Sequence, residues 1–416
     1  MRSARRTTIT FFPVDNGDMT LLALGDNAET RILIDCNIRE SGDDPDDNTR
    51  DVARDLRDRI KRDGKGRPYV DAFLLSHADN DHCRGLLKHF YLGPPDDYPD
   101  DKKPDAEKRI FIREIMSSPL VFRRASKMNN LCEEAVAFNA EAKRRVKVNR
   151  EKEFSGVADG DRILILGEDE DGKTDDLEPI LVKIDQEFSR INGVQNVVFR
   201  ARLLAPLPES SNEQDEELLS KNHSSVILNI GLRVEAGSTT TRHFLTGGDA
   251  EVAIWERLWA RHENSPQVLT YDLMQAPHHC SWHSLSYDSW SEKRQKGVVS
   301  AAARSALSQI RESGKIVASS APIKDDDCDP PCYGAKLEYL KIVNRAEGKF
   351  YCTGEYPTTA SPRPLEFSVT EERIEELGET KAGRAPAILT SGIVDAIGAR
   401  AAEAAAVKKE GNRRYA

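Results

Sequence analysis

The chain has 416 residues, 38% apolar and 31% charged, enough for one large domain with appendages or two to three small ones; its apolar residues gather in short runs that exclude global disorder. A net charge of −10 excludes a protein that coats nucleic acid through its overall charge. No stretch approaches the roughly 18 apolar residues of a membrane span, Met1–Arg6 is basic but leads directly into a strand-like segment, and the seven cysteines are odd in number and scattered; we therefore expect a cytosolic protein with no membrane association, no secretory leader and no disulfide framework.

In chain order, Thr7–Val14, Met19–Leu24 and Arg31–Asp35 read as strands separated by turns at Asn16-Gly17 and Gly25-Asp26-Asn27. Val52–Lys61 reads as helix, and Val70–Leu75 has the continuous apolar character of a strand buried on both faces. Residues 93–109 form a polar loop, 110–117 a strand, 120–152 a helix, and Arg162–Leu166 a further strand. Ile180–Ile184, Ser225–Ile230, Thr241–Leu245, Val268–Gln275 and Lys315–Ser319 read as strands, with helical stretches at 250–262 and 300–312. Two successive sets of strands alternating with helices predict an α/β architecture. From Gly392 the chain is Ala-rich and helical in propensity over Ile393–Lys409.

The chemistry concentrates where strands end. Ser76-His77-Ala78-Asp79-Asn80-Asp81-His82 follows the buried run and packs four ligand-type side chains into six residues, a density suited to a pair of divalent cations. Thr246-Gly247-Gly248-Asp249 and Pro277-His278-His279-Cys280-Ser281 each follow another strand and add a carboxylate and two imidazoles. Asp249 alone reads as a turn residue, since Asp is common in Gly-rich turns; the three segments together read as one site. Cys328 and Cys332, with Cys352 further on, show no fourth ligand at zinc spacing, Cys36 reads as a buried apolar residue, and His89, His243 and His262 read as ordinary histidines.

This set resembles the metallo-β-lactamase superfamily, and more narrowly the hydrolase domain of the ComEC/Rec2 competence proteins, in which Asp replaces the second His of the ligand loop. Residues 76–82 match that variant; Thr246–Glu251 matches Thr-Gly-Asp-Ala-Glu with one extra Gly; Pro277–Ser281 matches Pro-His-His-Gly-Ser with Cys at the Gly. Val14–Asp18 resembles the opening Val-Gly-x-Gly-Asp turn, and Asn222–Leu228 the Asn-x-x-Ser segment. Asp81-His82-Cys83-Arg84-Gly85 keeps only the second Gly of Asp-His-x-Gly-Gly, Tyr333-Gly334-Ala335-Lys336 lacks the His of Tyr-Gly-His-Pro, and no membrane channel accompanies the domain, so DNA uptake is not implied.

The resemblance implies a four-layer αββα sandwich over residues 1–345, with a partly helical, basic insertion at 93–160 and an extension at 346–416. It implies a dinuclear centre in which His77 and Asp79 hold one ion and Asp81 and His82 the other, Asp249 bridges and His278 completes the second site. His223 is either a further ligand or a loop residue contacting substrate. Asp81 would orient or receive a proton, and His279, Ser281 and His283 would face substrate. The carboxylate-rich set favours Mn²⁺, with Zn²⁺ competing. Residues 121–152 hold nine Lys/Arg against four Glu, so Arg144, Arg145 and Lys147 are expected to grip a nucleic-acid backbone. The activity implied is a phosphodiesterase, most simply a nuclease for DNA or RNA, with a possible protein partner. The alternative is a small-molecule hydrolase acting on a lactone, thioester, β-lactam or cyclic nucleotide. A non-catalytic module is disfavoured, because each principal ligand position is filled.

Overall fold

A computed structural model describes residues 6–44, 46–119, 131–168, 172–207 and 225–378. Two large mixed sheets dominate it. The first runs in the order Ile374–Glu376, Leu365–Val369, Thr8–Phe11, Thr20–Ala23, Arg31–Ile34, Pro68–Leu75, Ile110–Ser117, Arg162–Leu166, Leu181–Val182. It is antiparallel up to Arg31–Ile34 and parallel beyond. The second runs Glu187–Phe188, Phe199–Ala205, Ile227–Leu232, Arg242–Leu245, Tyr271–Gln275, Ile310–Ala318, Lys349–Cys352, and changes from antiparallel to parallel at Arg242–Leu245. Each sheet therefore has a set of parallel strands whose C-terminal ends share one edge.

The apolar patterning decides how these elements stack. Pro68–Leu75 is buried along its whole length, as a parallel strand covered on both faces must be. One set of its side chains, Ala72 and Leu74, joins Phe11, Ile32, Leu203, Phe244, Leu273, Val317 and Phe367 in a core between the sheets. There Phe11 meets Phe244 and Phe367 edge-on, at centroid distances of 5.7 and 6.0 Å. The other set, Val70 and Phe73, packs with Leu56, Phe138, Ala142 and Val146 from the helices Val52–Arg57 and Glu133–Glu151. On the outer face of the second sheet, Trp255 and Leu258 of Val252–His262, Ala303 of Ala301–Leu307 and Tyr339 of Tyr333–Arg345 cover Leu245, Met274 and Ile316. Caps fix two of these helices: the Asp51 carboxylate accepts from Arg54 N, and Ser300 Oγ from Ala303 N.

Two expected boundaries move. The segment 93–160 is not an excursion from the domain, because Ile110–Ser117 lies inside the first sheet and Glu133–Glu151 covers it. The domain does not end at 345: Lys349–Cys352 extends the second sheet, Leu365–Val369 pairs with Thr8–Phe11 in the first, and the compact unit runs to Leu377. The Ala-rich stretch at 393–409 lies outside the described residues. Among the described residues no helix is long and apolar enough to cross a membrane.

Candidate metal centre

Five strand ends deliver the site. Asp35 follows Arg31–Ile34, Ser76 and His77 follow Pro68–Leu75, Asp249 lies beyond Arg242–Leu245, His278 and His279 beyond Tyr271–Gln275, and Ser319 follows Ile310–Ala318. Hydrogen bonds across the sheets join these ends: Val226 N donates to the Ser76 carbonyl, and Ser319 Oγ to the Gly17 carbonyl. Gly247 permits a close approach, since a Cβ there would stand 2.7 Å from the Gln275 carbonyl oxygen. The neighbouring Gly248 carbonyl accepts from His278 N at 2.8 Å.

Asp249 is the centre of the arrangement. Its Oδ2 lies 3.7 Å from His77 Nε2 and 3.7 Å from His278 Nε2; its Oδ1 lies 3.0 Å from His82 Nε2 and 3.5 Å from His279 Nε2. A further carboxylate stands beside each pair: Asp79 Oδ2 is 3.4 Å from His77 Nε2, and Asp81 Oδ2 is 3.2 Å from His279 Nε2. The site thus has two halves that share one carboxylate, each with two imidazoles and one more Asp. Both ring nitrogens of His77, Nε2 of His82 and His279, Nδ1 of His278 and Oδ1 of Asp249 are buried without a hydrogen-bond partner. Leaving such groups unpaired costs about 1–3 kcal/mol each, and a divalent cation beside Asp249 would satisfy the Nε2 atoms among them. Asp18, His82, Asp249 and His279 form a buried cluster able to hold a metal ion.

Behind the imidazoles a second set of oxygens fixes the rings. His82 Nδ1 lies 2.9 Å from Asp35 Oδ2, and Asp35 also accepts from Ser76 N and Oγ at 2.6 Å each. His279 Nδ1 lies 3.2 Å from the Ser319 carbonyl and 3.5 Å from Asp18 Oδ1. Holding Nδ1 from behind leaves Nε2 of both rings aimed at Asp249, the usual orientation of metal-binding histidines. Asp18 faces the Nδ1 atoms, 3.8 Å from His82, so it backs the ligands.

Charge is strongly coupled here. Burial alone would lower the His82 and His279 imidazoles, yet Asp249 with Asp35 holds His82 well above its ordinary value, and Asp249 with Asp18 and Asp81 raises His279 to about 10. Burial would raise Asp249, but His82, His279 and His77 pull it well below the usual carboxylate range. Burial lowers His278, with Asp249 opposing. Without metal, protons on His82 and His279 compensate the carboxylates.

The structure brings His77, Asp79, Asp81, His82, Asp249 and His278 together and adds His279. Expected to face substrate, His279 instead lines the half formed by Asp81 and His82, while His278, expected in that half, lies with His77. The backbone gives the reason: His278, His279 and Cys280 are three consecutive left-handed residues, at φ 49, 50 and 69°, which turn successive side chains to different halves. Ser281 is buried and its Oγ accepts from His283 N, so it braces the loop and does not face an open cleft. His283 is partly exposed, with Nε2 3.9 Å from Asp329 Oδ2. His223 lies outside the described residues.

The basic residues depart most from expectation. Arg145 is fully buried, paired with Glu141 at 2.7 Å and donating to the carbonyls of Ile112, Arg113 and Arg162. Arg144 binds Glu141, Asp161 and the Gly93 and Gly160 carbonyls. Lys147 is exposed, 3.7 Å from Glu151. The helix starts beside the ligand loop, at the Cys83–Cys132 contact, but Arg144 lies about 18 Å further along its axis, beside strand starts at the opposite end of the sheet. Arg144 and Arg145 hold the helix to the sheet and do not form a phosphate-binding wall. The residues that sequence reasoning missed are Asp18, Asp35 and Ser319; their signal was position, since Asp35 and Ser319 immediately follow parallel strands. No family model matches the chain, and comparison with curated proteins and with solved structures found no match.

Proposed function

We propose that this chain is a metal-dependent hydrolase of the metallo-β-lactamase type that cleaves phosphodiester bonds with two divalent cations. The observation that carries the reading is Asp249, held between two pairs of imidazoles, with the inward Nε2 atoms of His77, His82 and His279 buried without a hydrogen-bond partner. Support comes also from the order of the ligand segments, the delivery of ligands from both sheets, and the helix, sheet, sheet, helix layering, each as the family resemblance implies.

In this reading His77, His278 and Asp79 would hold one ion and His82, His279 and Asp81 the other, with Asp249 within reach of both. Such ions, Mn²⁺ favoured over Zn²⁺ by the three carboxylates, supply Lewis acidity that brings the pKa of water toward neutrality. The protein does the rest. Asp35 and Asp18 fix the ring orientation of His82 and His279, so the ligands need no reorganisation at the moment of reaction. Asp81, one third exposed at the rim of its half, can accept a proton from an attacking water. Because Arg144 and Arg145 are engaged elsewhere, the reading shifts from a long nucleic acid gripped by the helix toward a compact phosphodiester such as a cyclic or short oligonucleotide.

The test is elemental analysis of the purified protein, followed by assays on bis(p-nitrophenyl) phosphate, cyclic nucleotides, single-stranded DNA, RNA and a lactone, with and without chelator. About two ions per chain and chelator-sensitive phosphodiester cleavage are expected. Cleavage of the lactone alone, or a protein that retains no ion at micromolar metal, would overturn the proposal.

A further inference from the structure

The helical turn Asn80–Cys83 carries Asp81 and His82 and ends on a thiol. Cys83 Sγ lies 3.5 Å from Cys132 Sγ and donates to the Asp79 carbonyl oxygen at 3.2 Å. Cys83 is buried; Cys132 is half-buried at the N-terminal boundary of the helix Glu133–Glu151. A contact between residues 49 apart in sequence thus joins the ligand turn to the helix that covers the first sheet. Cys36, also close to this turn, is fully buried and donates to the Arg84 carbonyl at 3.3 Å.

We propose that Cys83 and Cys132 are an oxidisable thiol pair whose disulfide regulates metal binding by the adjacent turn. The oxidant is hydrogen peroxide. The Cys132 sulfur, the more accessible of the two, attacks one peroxide oxygen; the O–O bond breaks, water leaves, and Cys132 becomes a sulfenic acid. The Cys83 sulfur then attacks the Cys132 sulfur, the S–O bond breaks, and a second water departs with the Cys83 proton. Two thiols lose two electrons and two protons, and one hydrogen peroxide becomes two waters.

Geometry supplies the consequence. Disulfide sulfurs stand about 2.05 Å apart, so the contact must close by roughly 1.5 Å. Closure removes the S–H donor from the Asp79 carbonyl and draws the turn toward the helix. His82 Nε2, now 3.0 Å from Asp249 Oδ1, and Asp81 Oδ2, now 3.2 Å from His279 Nε2, are carried with it. The half of the site holding Asp81 and His82 should open while the half around His77 changes less. The covalent step is independent of the hydrolase reading; the effect on metal rests on it.

The experiment treats the full-length, reduced protein with hydrogen peroxide and reads intact mass, linked peptides and Mn²⁺ affinity. Expected are a loss of about 2 Da, a peptide joined through Cys83 and Cys132, and about tenfold weaker binding of one Mn²⁺, all reversed by dithiothreitol. C132S, at a half-buried position, should abolish the link and the metal effect, whereas C328S, at an exposed cysteine, should preserve both. Peroxide-treated protein with both thiols free, or with either linked elsewhere, would overturn the pair. A formed link with unchanged Mn²⁺ affinity would overturn its regulatory role. Linked peptides in a protein that binds no Mn²⁺ even when reduced would support the pair and overturn the metal reading.

Discussion

Single residues at this site are defined by what stands on both sides of them. His279 presents Nε2 to Asp249 and Asp81 and Nδ1 to Asp18 and Ser319, and the carboxylates hold its pKa at about 10 where an unfolded imidazole titrates near 6.5. A group raised in the folded state contributes stability that is fully present below the unfolded value and is lost as pH rises through the folded one. The metal-free protein should therefore lose stability between about pH 6.5 and 10, a trend that chemical denaturation at fixed metal-free conditions will measure. Metal and proton compete for the same nitrogens, so uptake near neutral pH should release about two protons, from His82 and His279. Calorimetric heats that do not change between buffers of different ionisation enthalpy would refute this. Most residues of this cluster were legible in the sequence because density of His and Asp after a buried strand is chemically unusual. Asp18 and Asp35 were not, because an Asp in a turn carries the same local signal whether it backs a ligand or caps a loop.

At the scale of elements, the helix Glu133–Glu151 shows how a charge run misleads. Linear sequence places Lys143, Arg144, Arg145 and Lys147 together as one basic patch; helical geometry separates them. Arg145 stands one turn from Glu141, both facing inward, while Lys147 points outward. Truncating one member of a buried ion pair leaves the other uncompensated, so R145A should destabilise the fold by about 3–5 kcal/mol. K147A should lie within about 0.5 kcal/mol of the parent. Denaturant titration of both variants decides the matter; equal stability would mean that Arg145 is not the anchor described. Strands dense in apolar residues were legible at their observed bounds, as at Ile110–Ser117 and Arg162–Leu166. Phe199–Ala205 was not, because Arg200 and Arg202 alternate with its buried residues and give it the polarity of a loop. The helix expected at 300–312 stops at Leu307, where Ile310 already enters a parallel strand beside Tyr271.

For the whole molecule, the α/β class and the order of the ligand segments could be read from the chain, but its closure could not. The register Thr8↔Ser368 to Phe11↔Leu365 places the end of the domain against its beginning, a pairing across more than 350 residues that no local pattern encodes. Truncation after residue 377 should leave the melting temperature unchanged. Truncation after 345 removes Lys349–Cys352 and Leu365–Val369, exposes Phe11 and Phe244, and should yield no cooperative unfolding transition by calorimetry. The shared carboxylate has a consequence on this scale as well. His77 and His82 belong to one sheet, and Asp249, His278 and His279 to the other, so any ion bound between them is a cross-link that ties the two halves of the core. Folding and loading then become one equilibrium: free metal at a hundred times its dissociation constant adds about 2.7 kcal/mol per site to the native state. The melting temperature becomes a gauge of free metal, and a cell poor in the ion that fits would hold less of this protein.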